Sequence, residues 1–351
     1  MISDEPKRLP ALRGIINYII SIGLTIVFLY IAFHNVNFGD VLEIVSGASL
    51  LWIGIFIIGN FAGHYVRTLR WKVILNSVKP DAKMKNLFGS LMIGYGVNCV
   101  TPKLGEIARA VLVGKWENLS RSSMFGTVIL ERVIDVLSLG FAVIVSSMIW
   151  PESLYESFPW LKATLYIAAI SLLFVIAIFY LTIKFKEKFY GVIVKLVSKI
   201  SEKFGQKLGY IFEMLTQGFN SLKGVKNYLL TILLTILLLL TYALNSYFGF
   251  HILGMQTLQP VTIKMGWILM SISAIGIVIP TPGGTGSYHT LAKSTLVILF
   301  GFGETVSAAY AFITHIISYI LFILVAVVLF FTLNKPEKKA ESILNTEAEN
   351  V

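Results

Sequence analysis

A small set of charged and hydroxyl residues stands in or beside otherwise apolar stretches of this chain. Glu131, Arg132 and Asp135 lie within one long apolar run. At helical spacing Glu131 and Asp135 share a face, and Arg132 stands three residues before Asp135. An acid or arginine at the centre of a membrane helix costs ~3 kcal/mol even on the lenient insertion scale. Two compatible readings follow. The three residues form an internally neutralised brace, or they line a polar path for a lipid headgroup or a proton. Glu106 and Arg109 follow the sequence Thr101-Pro102-Lys103-Leu104-Gly105. Glu106 suits a first helical turn, where carboxylates favour the dipole. Arg109 either pairs with Glu131 or Asp135, or binds a phosphate or carboxylate headgroup through its bidentate fork.

A second group surrounds Pro280-Thr281-Pro282-Gly283-Gly284-Thr285-Gly286. No helix runs through such a stretch, because proline lacks the N–H and glycine raises the backbone entropy cost. The helix expected to restart at Ser287 offers free N–H groups together with Thr285 and Ser287, an arrangement that attracts anions. His289 and Lys293 fall within its first two turns, so the two broken segments together could hold one anionic group from opposite sides. His315, alone in its run, reads as packing. His64, Arg67 and Arg70 read as snorkelling anchors near the inner end of a span, with headgroup contact as the alternative.

Other chemistry lacks its signature. Gly-x-x-x-x-Gly-Lys-Ser/Thr, His-Glu-x-x-His and Gly-x-Gly-x-x-Gly are all missing, so no ATP cradle, zinc site, cofactor or enzymatic activity is expected. Movement of a substrate would then be downhill or ion-coupled, with Glu106, Glu131, Asp135 or His289 as proton carriers. Cys99 is the one cysteine, which excludes an internal disulfide.

The elements that must position these residues are membrane helices. Of the 351 residues 56% are hydrophobic and 14% charged, and the mean hydropathy is +0.78. A soluble domain carries about a quarter charged residues. The net charge of +10 lies in particular loops, so anionic lipid and orientation explain it better than nucleic acid. Spans are expected at roughly 15–33, 50–68, 122–150, 163–183, 228–250 and 305–333. The basic N-terminal tail, residues 1–14, precedes a retained first span, and a second tail covers 334–351. The loop with Asp40 and Glu43 has no Lys or Arg and reads as external. The positive-inside rule therefore places both termini in the cytoplasm. Between 184 and 226 apolar residues such as Phe189, Ile193, Val197, Ile200 and Phe204 recur every three or four positions, with lysines on the other face. That pattern predicts a helix lying on the cytoplasmic membrane surface.

Two segments are too short to span. Asn86–Val100 followed by Ile107–Trp116 has basic flanks and is expected to dip in from the cytoplasm. Trp267–Ile279 followed by Leu291–Phe302 is expected to dip in from outside. Half-repeats at about 15–150 and 161–333 then each read span, span, broken hairpin, span, with opposite orientation. Broken segments in corresponding places mark a transporter-like inverted repeat with its site near the midplane. At that depth free backbone groups survive only against protein or a wet cavity.

Three ordered motifs carry a resemblance. Pro102-x-x-Gly105-Glu106-x-x-Arg109, Glu131-Arg132-x-x-Asp135 and Pro280-x-Pro282-Gly283-Gly284-x-Gly286 together resemble the flippase-like transmembrane family named after lysylphosphatidylglycerol synthases, over roughly residues 10–335. In those synthases such a domain is associated with moving an aminoacylated lipid, which a separate soluble domain makes. The chain ends soon after its last span, so synthase activity is not expected. Where relatives often place a glutamate after the glycine run, this sequence has Ser287-Tyr288-His289. The resemblance implies an all-α polytopic flippase-like protein of the bacterial cytoplasmic membrane. Its cargo would be an amphiphile with an anionic, phosphate-bearing headgroup, a phospholipid or a polyprenyl-phosphate derivative. The residues expected to serve it are Pro102, Gly105, Glu106, Arg109, Glu131, Arg132, Asp135, Pro280, Pro282, Gly283, Gly284, Gly286, Ser287 and His289. A membrane-embedded enzyme acting on lipid phosphates, and a scaffold that partners envelope-synthesis enzymes, are the rival classes.

Overall fold

Helix breakers cut the chain where the sequence pattern requires. The computed structural model describes residues 9–76, 78–150, 187–206 and 224–333, with scattered positions between 163 and 212. The expected fourth span apart from Ala163, Tyr166, Ile170 and Leu173, part of the expected surface helix, residues 1–8 and the C-terminal tail lie outside the described residues, while residues 9–14, read as tail, belong to α1. The helices are α1 (Leu9–Phe33), α2 (Phe38–Ser46), α3 (Leu50–Leu75), α4 (Met84–Val100), α5 (Leu104–Trp116) and α6 (Arg121–Ile149). They continue with α7 (Glu187–Ile200), α8 (Val225–Ile252), α9 (Ile263–Val278), α10 (Ser287–Ser294) and α11 (Glu304–Leu333). No strand occurs among the described residues, so the protein is an all-α polytopic membrane protein.

Length and composition alone qualify four described helices as spans: α1, α3, α8 and α11. The 29-residue α6 occupies the expected third span, with Glu131, Arg132 and Asp135 along it. A helix of that length reaches about 43 Å at 1.5 Å per residue. The 16-residue α9 is apolar but shorter than the ~20 residues a crossing takes.

One element departs from expectation. The acidic stretch read as an external loop folds as α2. Asn37 caps it, its Oδ1 accepting the Gly39 N–H at 2.9 Å, and Asp40 sits in the positive first turn. Its Val41 is fully buried in a cluster with Ala308 and Ala309 of α11. The polar residues there serve as a cap, a use that charge counting does not distinguish from a loop. Within the expected surface helix, α7 ends at Ile200 and Ser201 is non-helical, so the apolar residues do not share one continuous helix: Ile193 and Val197 are half-buried, while Ile200 and Phe204 are exposed.

The packing is reciprocal between halves. α3 lies along α8; α4 packs on α11 and α9 on α6; each short arm, α5 or α10, covers the next long helix. Glycine makes these approaches close. A Cβ on Gly96 of α4 would stand 2.3 Å from the Ala326 Cβ and 3.1 Å from the Phe322 carbonyl oxygen, both on α11. Small residues of this kind let membrane helices pack backbone to backbone. Each hairpin also closes on a glycine. A Cβ at Gly94 would meet the Gly105 carbonyl oxygen at 2.9 Å, and one at Gly276 would meet the Ser287 oxygen at 2.7 Å. Two separate apolar clusters then hold the hairpins. Trp71, Leu87, Ala110, Val113 and Met124 pack around the first, and Phe250, Ile268, Ile272, Ala292 and Leu296 around the second.

Candidate functional site

The first break follows from three residues. Pro102 is flanked by Thr101 in an extended conformation and Lys103 at φ 64°, a left-handed conformation strained for any side chain with a Cβ. The helix restarts at Leu104, and the side chain of Asn98 caps it, accepting the Gly105 N–H at 2.8 Å. Asn98 also donates to both oxygens of Glu106, at 3.4 and 3.5 Å. Gly105 is obligatory because a Cβ would lie 2.0 Å from the Gly94 oxygen.

The second break is a single tight turn, Pro282–Gly284, with Gly283 at φ 58°. Freed backbone groups find protein partners. The Pro280 carbonyl accepts from Ser21 Oγ of α1 at 2.6 Å, and the Gly286 N–H donates to Nδ1 of His289 at 3.2 Å. Thr281 and Ser287 join hydroxyls at 3.1 Å, and Thr285 meets Nε2 of His315 at 3.2 Å. Gly286 packs directly on α1, where a Cβ would fall 2.8 Å from the Thr25 oxygen.

The two breaks touch. A Cβ on Gly283 would meet the ring of Tyr319 at 2.8 Å and the Cα of Cys99 at 3.5 Å. Tyr319 clamps the junction, its hydroxyl donating to the Cys99 carbonyl at 2.6 Å. Two remote prolines therefore bring the interrupted ends of α4 and α9 side by side.

Beside the first hairpin lies an ion cluster built from three helices, α3, α5 and α6. Glu131 is completely buried on α6 and pairs with Arg67 Nε of α3 at 2.8 Å and with Arg109 of α5. Asp135, one turn on, receives Arg67 and Arg70 of α3 and, at 3.1 Å, Arg132 of its own helix. Arg132 reaches on to Glu106 at 3.7 Å. Arg109 is stacked on Trp71, its guanidinium carbon 3.5 Å from the ring centroid, and Trp71 donates to Thr127 at 3.1 Å. Planar guanidinium suits both roles at once. The outer edge is Arg132, whose side chain is 39% exposed, with Glu106 at 29% and Asp135 at 23%.

The residues singled out in the sequence thus fall into two connected places. Glu106, Arg109, Glu131, Arg132 and Asp135 form the ion cluster; Pro102 and Gly105 shape the hairpin that presents them. Pro280, Pro282, Gly283, Gly284 and Gly286 shape the second break, with Ser287 and His289 buried at the restart of α10. Four side chains stand elsewhere than expected. Arg67 and Arg70 are not snorkelling anchors: both are buried and hold the acids of α6, as burial without partners would be prohibitive. His64 is buried too, against the rings of Tyr95 and Phe322. Lys293 is drawn away from the second break, donating to the Ala32 oxygen at 2.9 Å and pairing with Glu304 at 2.5 Å. The sequence held one usable signal for Arg67 and Arg70. Spaced three apart on an apolar helix, they face one side and could have been matched to the two acids four apart on α6.

Among the described residues no group of His, Cys, Asp and Glu has the arrangement of a metal site. Residues 18–326 match the family described as the lysylphosphatidylglycerol synthase TM region. A UPF0104 membrane protein of Methanocaldococcus jannaschii is 26% identical over 271 residues, covering 73% of this chain and 77% of the relative. A UPF0104 membrane protein of Methanothermobacter thermautotrophicus is 24% identical over 299 residues, covering 80% and 85%. No solved structure matches. These named relatives are archaeal, so they do not support the bacterial membrane in particular. With the motifs in place and the match running across almost the whole described fold, the chain belongs to the lysylphosphatidylglycerol synthase TM region family.

Proposed function

We propose that this protein moves an amphiphile with an anionic, phosphate-bearing headgroup across the cytoplasmic membrane, phospholipid or polyprenyl-phosphate derivative, by flippase-like transport. The observation that carries the reading is the charge count of the ion cluster. Four arginines, Arg67, Arg70, Arg109 and Arg132, face three carboxylates, Glu106, Glu131 and Asp135. Nε of Arg70, Arg109 and Arg132 is buried with no hydrogen-bond partner. A surplus cation in apolar surroundings is stabilised by an anion that completes the set. Arg132 is the arginine with an exposed edge, so it meets the headgroup first, while Arg109 holds the cluster together from inside. The hairpins dip in from opposite faces in this reading, and their junction at Gly283 and Cys99 separates two half-paths that open in turn.

The test is translocation of fluorescent phosphatidylglycerol in vesicles reconstituted with the full chain. Arg132→Gln should slow it at least tenfold while the protein melts at nearly the same temperature, because Asp135 and Glu106 stay paired or exposed. A wild-type rate in Arg132→Gln would overturn the assignment. Arg109→Ala should also abolish transport, but with a loss of stability.

A further inference from the structure

On the far side of the second break a cavity of about 460 Å³ opens between α1, α2 and α11. Its walls are chiefly Leu29 and Phe33 of α1 and Phe312 and Ile316 of α11, with the exposed Phe38 of α2 among them. Four polar side chains enter it: Thr285, His289, His315 and Tyr319. Three of them are already engaged. Tyr319 donates to Cys99, and Thr285 and His315 bond one another.

His289 is different. Its Nδ1 accepts the Gly286 N–H at 3.2 Å, which in the neutral ring puts the proton on Nε2. That N–H has no hydrogen-bond partner among the described residues, although His289 is only 3% exposed. The cavity therefore presents largely hydrocarbon walls, with the Nε2–H of His289 unspent.

Water does not suit this space. At ~30 Å³ each, roughly fifteen molecules would fit, and each needs two to four polar partners. Both α1 and α11 are long and apolar enough to cross a bilayer, so the filler within reach is lipid. We propose that the cavity is a binding site for one acyl chain of a membrane lipid, whose linking carbonyl oxygen accepts the Nε2–H of His289. The site rests on the reading of this chain as a lipid-handling protein. It adds a tail site separate from the arginine cluster, which is the headgroup site. Tyr319 is both a wall of the cavity and the clamp on the junction of the two breaks, so an occupant sits directly against that junction.

The test uses the full chain in nanodiscs of phosphatidylglycerol containing a small fraction with a diazirine on one acyl chain. After photolysis, peptide mass spectrometry locates the adducts. They should concentrate on Phe33, Phe312 and Ile316, several-fold above the exposed, bilayer-facing Ile58 and Leu233. Ile316→Trp fills the cavity and should cut adducts there at least fivefold without changing those at Leu233. His289→Asn keeps an oxygen for the Gly286 N–H, while its amide nitrogen, on a shorter side chain, does not reach the position of Nε2. It should cut cavity adducts about fivefold, the size of one hydrogen bond. Uniform labelling of the wild type, or cavity adducts at the wild-type level in His289→Asn, would overturn the proposal. Specific cavity labelling by a protein that does not translocate lipid would sink the transport reading alone. Translocation with uniform labelling would sink the tail site alone.

Discussion

Glu131→Gln removes a completely buried charge, and the ion cluster specifies which partner suffers. Arg67 and Arg70 keep Asp135, and Arg132 keeps both Asp135 and Glu106. Arg109 has Glu131 as its carboxylate, with Trp71 beneath it, and no other acid among the described residues. The substitution therefore strands one guanidinium that is 3% exposed. Breaking a buried ion pair by removing one partner costs about 3–5 kcal/mol, most of it from the charge left behind. Arg109→Met paired with Glu131→Gln removes both charges while keeping the packing volume close. The double variant should be less destabilised than the sum of the single ones by about 1–3 kcal/mol, within the range measured for contacting residues. Reversible unfolding in mixed micelles, run on all four proteins of the cycle, reads this directly. Additive effects would mean that Arg109 and Glu131 do not depend on each other, and the cluster as described would be wrong. A Glu131→Gln protein as stable as wild type would show that the arginines find water or lipid phosphate instead.

Gly96→Ala forces a Cβ to within 2.3 Å of the Ala326 Cβ and should destabilise by about 1–3 kcal/mol through overpacking. Ala326→Gly in the same chain should restore most of the loss, measured by thermal unfolding. Asn98→Ala leaves the Gly105 N–H without its acceptor and should cost about 1–3 kcal/mol in the same assay. Cys99, the chain's one cysteine and 2% exposed, serves as a native reporter of the junction. Tyr319→Phe removes the hydroxyl bonded to its carbonyl, about 1 kcal/mol, and should speed maleimide labelling of Cys99 roughly fivefold. Unchanged labelling would mean that Tyr319 does not hold the breaks together.

Much of the architecture was readable because it follows from local rules. The apolar runs behind α1, α3, α8 and α11 are long enough to require helices in lipid, and Pro102 and Pro280–Pro282 must break the chain between α4 and α5 and between α9 and α10. The charges on α6 announced themselves by their cost in an apolar setting. The sequence also placed the two broken segments at corresponding points of the chain. The small helix α2 was hidden because a capping Asn and a first-turn Asp look like loop polarity until Val41 is seen to be buried.

What the tertiary structure alone decided was pairing. Arg67 and Arg70, 61 to 68 positions before the acids of α6, become their partners through the packing of α3 beside α6, a contact no local pattern encodes. The same holds for Gly283 against Cys99 and Tyr319, and for the cavity that opens between α1, α2 and α11. Residue type and spacing determine which groups must be satisfied somewhere in the fold. Which group satisfies which depends on how helices distant in sequence cross, and that is fixed only when their small residues and apolar faces come into contact.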